Sequence, residues 1–123
     1  MAAAILEVAQ TLVVTVQAEL GDLELTQLRA DIAARVKTAS VRGLVIDVSA
    51  LDVLDSFASR ILVGIVKVTS LRGARAVVVG IQPDVAFAMV QLGLTLDGIE
   101  TALDLDEGLA LLRASETSAP RGR

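Results

Sequence analysis

Between Leu51 and Val66 the chain reads LDVLDSFASRILVGIV, which sets Asp55, Ser56 and Ser59 in front of an aliphatic run. Two more carboxylates, Asp47 and Asp52, precede them. Side chains grouped in this way can cap a helix, hold a divalent cation for phosphoryl chemistry, or present a hydroxyl for phosphorylation. Composition removes most other chemistry. The chain has no His and no Cys, so neither a Ser-His or Cys-His nucleophile nor a zinc site built on those ligands is available. Carboxylates and two lysines, Lys37 and Lys67, are the remaining general acids and bases. No GxxxxGK(S/T) phosphate loop occurs, and no lysine stands where it would serve Asp47, Asp52 and Asp55 in phosphotransfer. Three readings stay open on these residues alone: an ordinary Asp/Ser helix cap, a carboxylate metal or phosphotransfer site, and modification of Ser56.

Apolar spacing indicates the elements that position this stretch. TLVVTVQA, Thr11 to Ala18, is rich in β-branched residues and reads as a strand, following a short one around Ile5 to Val8. After the break at Gly21, the spacing of Leu25, Leu28, Ile32, Ala33 and Val36 is one face of a helix, with Asp22 as its expected N-cap and Lys37 near its C-terminal end. GLVIDVS, Gly43 to Ser49, is continuous enough for a central strand covered on both faces. Phe57, Ile61, Leu62, Ile65, Val66 and Val68 return to helical spacing, and Gly73 stands where a left-handed C-terminal residue is needed. RAVVVG, Arg75 to Gly80, is a second buried strand. Pro83 and Asp84 open a helix with Val85, Met89 and Leu92 inward and Gly93 ending it. Ile99 to Leu103 reads as a short edge strand, and Leu105 to Arg113 as a last helix capped by Asp104 or Asp106. Strands separated by helices, opened by an adjacent strand pair, imply an α/β fold: a mixed sheet of about four or five strands with about four helices.

Length and charge bound the function further. A chain of 123 residues fits a single domain, expected over residues 1–114, with SETSAPRGR at 115–123 too polar to pack and expected to be a mobile tail. A net charge of −4 and the absence of Trp and Tyr argue against nucleic-acid binding, which needs clustered cations and stacking aromatics. MAAAILEVAQ has no basic leader, and no uncharged apolar run approaches about 18 residues. A cytoplasmic protein without membrane contact is expected. The apolar share of 54% exceeds what a small monomer requires and suggests a face covered by a partner.

If Asp55 caps the helix, Ser56 is its first residue, and Ser59 follows within about 60° around the axis. Arg60, Val63, Lys67 and Ser70 continue that stripe, opposite a wall of Phe57, Ile61 and Ile65, so the stripe is expected to be exposed to a partner.

The element order from about Ile5 to Arg113, together with GLVIDVSALDVLDSFASR, resembles the STAS domain of bacterial anti-anti-sigma factors. That resemblance implies that Ser56, directly after Asp55, is the target of a partner serine kinase. Sporulation and general-stress members read DSSGL here, whereas this chain has Phe57 and Ala58 in place of the second serine and glycine. DSF followed by Arg60 is more similar to RsbS-type subunits of the stressosome. The similarity implies a non-enzymatic scaffold without cofactors or metal, which joins RsbR-type co-subunits in a large oligomer and holds an RsbT-type serine kinase until phosphorylated. Asp52, Asp55, Phe57, Ser59, Arg60, Val63 and Lys67 would line the partner surface, with Ser59 as a rival acceptor. The alternative is a free anti-anti-sigma factor that binds an anti-sigma kinase.

Overall fold

The computed structural model describes residues 3–17, 20–37, 41–53, 55–91 and 99–117. Strands β1 (Ala3–Val8) and β2 (Thr11–Val16) form a hairpin, followed by α1 (Asp22–Val36), β3 (Gly43–Asp47), α2 (Ser56–Leu71), β4 (Arg75–Val79), α3 (Pro83–Gln91), β5 (Glu100–Ala102) and α4 (Leu105–Thr117). The five strands lie in sequence order; β1 is antiparallel to β2, and β2 through β5 are parallel. Each parallel step needs a crossover, which α1, α2 and the segment containing α3 supply. The expected mixed sheet and four helices are therefore present.

Register assigns the strand side chains to two layers. Leu12, Leu44 and Ala76 align across β2, β3 and β4, as do Val14, Ile46 and Val78; these pack with Leu28 and Ile32 of α1 and Ile61 and Ile65 of α2. The alternate residues Val45, Val77 and Val79 meet Leu112 of α4 on the other face. That double cover explains why β3 is an unbroken aliphatic run. α4 lies so close that a Cβ on Gly108 would stand 2.7 Å from Val79 Cγ1.

Several boundaries differ from the sequence reading. Asp22 is the first residue of α1 and not its cap. Gly21 holds the N-cap position, and Glu24 reaches back to accept its N–H at 2.6 Å. β2 stops at Val16, Ala18 lying outside the described residues, and β3 stops at Asp47. β4 ends at Val79 because Gly80 turns out of the strand with φ of +78°. Leu92 and Gly93 lie outside the described residues. α4 is capped by Asp104, whose Oδ1 accepts from Glu107 N at 2.9 Å, and continues past Arg113 to Thr117. Gly73 has the left-handed φ of +87° expected of it.

Candidate functional site

α2 begins where the chain leaves the carboxyl end of the central strand. Val48 N–H donates to Val79 O at 3.0 Å and Leu51 N–H to Val48 O at 3.0 Å, which folds the connection back over the sheet and buries Leu51. Asp47 Oδ1 accepts from Ser49 N at 2.9 Å. Gln82, a residue that periodicity gave no reason to single out, bridges the loop to the start of α3: its Nε2 donates to Ser49 O at 2.7 Å and to Asp52 Oδ1 at 3.4 Å.

Asp55 is the N-cap of α2, with extended backbone and Oδ1 accepting from Ala58 N at 2.7 Å. Ser56 is the first helical residue and is exposed. Its position follows from the helix's phase. At about 100° per residue the buried side chains Ile61, Ile65, Thr69, Leu62, Val66 and Ser59 span an arc of roughly 160°, and Ser56 lies about 60° beyond its Ser59 edge. Arg60 and Lys67 fall within about 40° of Ser56 and are exposed, and Val63, nearer the buried arc, is half-buried. The predicted stripe thus exists from Ser56 through Arg60 and Val63 to Lys67.

Two members of the predicted geometry are corrected. Ser59 does not share the exposed stripe: it is 0% exposed, and its Oγ donates to Asp55 O at 2.9 Å. Phe57 is not part of the inward wall; it sits at the opposite edge of the buried arc and is 37% exposed, as Val68 is at 38%. Ile61 and Ile65 are buried as expected, and the arc they belong to is centred about 80° further round, near Thr69 and Leu62. Phe57 instead joins the exposed Val53 and Asp52 in the surface around Ser56.

The three carboxylates do not form a cation site. Asp47, Asp52 and Asp55 are each engaged by a different donor, and among the described residues no three His, Cys, Asp or Glu side chains converge. A cleft of about 210 Å³ runs beside the cap, lined by Val16, Leu20, Leu25 and Val53 with Asp22 and Asp55 on its rim. The apolar space under α2 and α3, by contrast, holds only about 20 Å³, room for a single water-sized body. The accessible features at this end of the sheet are a hydroxyl, two carboxylates, exposed apolar side chains and one cation, Arg60, with Lys67 about three turns beyond Ser56 on the same stripe of α2. That inventory suits docking of a protein surface.

The family model of the STAS domain matches residues 2–108. A serine-to-glutamate variant of Moorella thermoacetica RsbS superposes with a TM-score of 0.85 at 36% identity, covering 93% of this chain and 97% of that one. A chain from the molecular architecture of the stressosome, described as a signal integration and transduction hub, gives 0.82 at 37% identity over 92% and 98%. The anti-sigma factor antagonist SpoIIAA, in its unphosphorylated form, shares the fold at 0.70 and 18% identity over 92% and 97%. This chain belongs to the STAS domain family.

Proposed function

We propose that this STAS protein is a non-enzymatic stressosome scaffold that sequesters an RsbT-type serine kinase and releases it when Ser56 is phosphorylated. The observation that carries the reading is the exposed Ser56 on the first turn of α2, capped by Asp55, with Arg60 one turn on and Lys67 further along the same exposed stripe. Likeness to RsbS and to a stressosome chain at 36% and 37% identity supports it.

The switch follows from charge. A phosphate on Ser56 adds about −1.5 to −2 charges, and the helix N-terminus favours an anion by roughly 0.3–1 kcal/mol. Asp52 and Asp55 oppose it, each by on the order of 1 kcal/mol at about 6 Å in a water-like dielectric. The two carboxylates outweigh the dipole by only about 1–2 kcal/mol, small against a domain stability of about 5–15 kcal/mol, so the scaffold keeps its fold. The cost falls on the complex: a surface formed over a neutral hydroxyl must desolvate the phosphate, and a loss of about 3–4 kcal/mol weakens binding several hundred-fold. Phe57, Val53 and Val63 supply the apolar contact, and Arg60 and Lys67 attract an acidic rim.

Co-expression with RsbR-type co-subunits and an RsbT-type kinase tests the assembly. The chain is expected in a particle far above its own 12.8 kDa, with kinase attached, and the kinase is expected to leave on addition of ATP. A chain that never enters a particle with its co-subunit would point to a free anti-anti-sigma factor instead.

A further inference from the structure

Far from Ser56, the surface carries two features that complement each other. Between the C-terminal parts of α1 and α2 lies a shallow groove of about 450 Å³, floored by Ala30, Ala33, Ala34 and Val68 and bordered by Lys37 and Arg72. Alanines three and four apart leave a strip of helix with no long side chain over it. Arg72 Nη2 donates to Lys37 O at 3.4 Å, which keeps the guanidinium at the groove's end. Among the described residues neither cation is in an ion pair, so in a chain of net charge −4 this groove is a local positive site with an apolar floor.

The complement lies after β5. Leu103 is 82% exposed, and its backbone is held rigidly: its N–H donates to Glu107 Oε1 at 2.6 Å, while Asp104 caps the same turn through Glu107 N. Asp104 and Asp106, both exposed, flank it. A single exposed leucine needs no explanation. Here the leucine stands on a fixed turn beside carboxylates, matching an apolar groove beside cations.

The two features cannot meet within one molecule. Leu103 follows the carboxyl end of β5, whereas α1 and α2 run back from that end of the parallel strands, leaving Lys37 and Arg72 at the other. Only a second copy can bring them together. We propose that Leu103 of one copy seats in the α1–α2 groove of the next, with Asp106 facing Lys37 and Arg72. Such a contact is heterologous and repeats from copy to copy. It deepens the scaffold reading by naming a self-association surface, yet it leaves Ser56 and Arg60 free, because the groove lies at the far end of α2 and its Val68 and Arg72 are turned about 100° or more round the axis from Lys67.

Sedimentation velocity on three full-length proteins tests it: the wild type, a knob variant carrying Leu103→Glu and Asp106→Lys, and a groove variant carrying Lys37→Glu and Arg72→Glu. All four positions are exposed, and unchanged thermal melting will show that the variants fold. The wild type should gain mass with concentration, while each variant alone should associate at least about tenfold more weakly. An equimolar mixture of the variants retains one good knob and one good groove, so it should form a dimer that grows no further. A wild type that stays monomeric, a variant that associates as strongly as the wild type, or a mixture that stays monomeric overturns the proposal. Kinase binding measured on the groove variant reports on Ser56 separately, so either reading can fail without the other.

Discussion

Ser59 donates its hydroxyl to the main-chain carbonyl of Asp55 at 2.9 Å and is fully buried, while Ser56, three residues earlier, faces solvent. The backbone that positions the one hydroxyl for a partner also occupies the other. Incubation with kinase and ATP followed by mass spectrometry should therefore find phosphate lost in Ser56→Ala and retained in Ser59→Ala. The second variant should cost about 0.5–1.5 kcal/mol of stability for its lost hydrogen bond.

Asp55 secures the first turn through Ala58 N. Asp55→Ala should lower stability by about 1 kcal/mol, and Asp55→Asn, which keeps an accepting oxygen, should restore most of it. Urea unfolding of the two variants separates the cap from any general effect of charge.

Two helical glycines should respond oppositely to the same substitution. A Cβ on Gly108 meets Val79 Cγ1 at 2.7 Å, so Gly108→Ala should push α4 off the sheet and cost about 1–3 kcal/mol. A Cβ on Gly64, in the middle of α2, has nothing within 4 Å, and Gly64→Ala should stabilise by up to about 1 kcal/mol through helix propensity. Thermal melts of the pair provide the comparison.

Arg75 pairs with Glu100 across β4 and β5 and also donates to Leu111 O at 3.3 Å, tying the edge strand and α4 to the sheet. The hydrogen bonds from the guanidinium hold the Glu100 carboxyl below its ordinary value of 4.5. A depressed carboxylate contributes stability above its unfolded value and loses it as pH falls through the folded one. The contribution should be complete above about pH 4.5 and disappear below it. The pair is more than a third exposed at Glu100, so screening limits it to about 0.5 kcal/mol. Glu100→Gln should remove that loss from the acid side of a stability-versus-pH curve and leave the neutral side slightly lower.

The sheet and the order of its helices were legible because β-branched runs and helical spacing alternate without ambiguity from Thr11 to Met89. Phase was not. Spacing fixes the period of α2, but the centre of its apolar arc depends on how the helix rotates over β3 and β4, and that rotation buries the small polar Ser59 at one edge and leaves Phe57 and Val68 partly exposed at the other. Asp22 looked like a cap because of its residue type, whereas Glu24 reaches back to Gly21 and does that work. Gln82 carried no signal, since its importance comes from proximity to Ser49 and Asp52, 33 and 30 residues away in sequence. The family's motif singled out Ser56 as the expected acceptor, where the residues alone favoured an ordinary cap over a cation site or a modified hydroxyl.

The decisive measurement is the affinity of an RsbT-type kinase for this chain before and after stoichiometric phosphorylation of Ser56, at one ionic strength. Release on modification requires the phosphorylated protein to bind several hundred-fold more weakly, with its circular dichroism spectrum unchanged. Equal affinities for the two forms would contradict it.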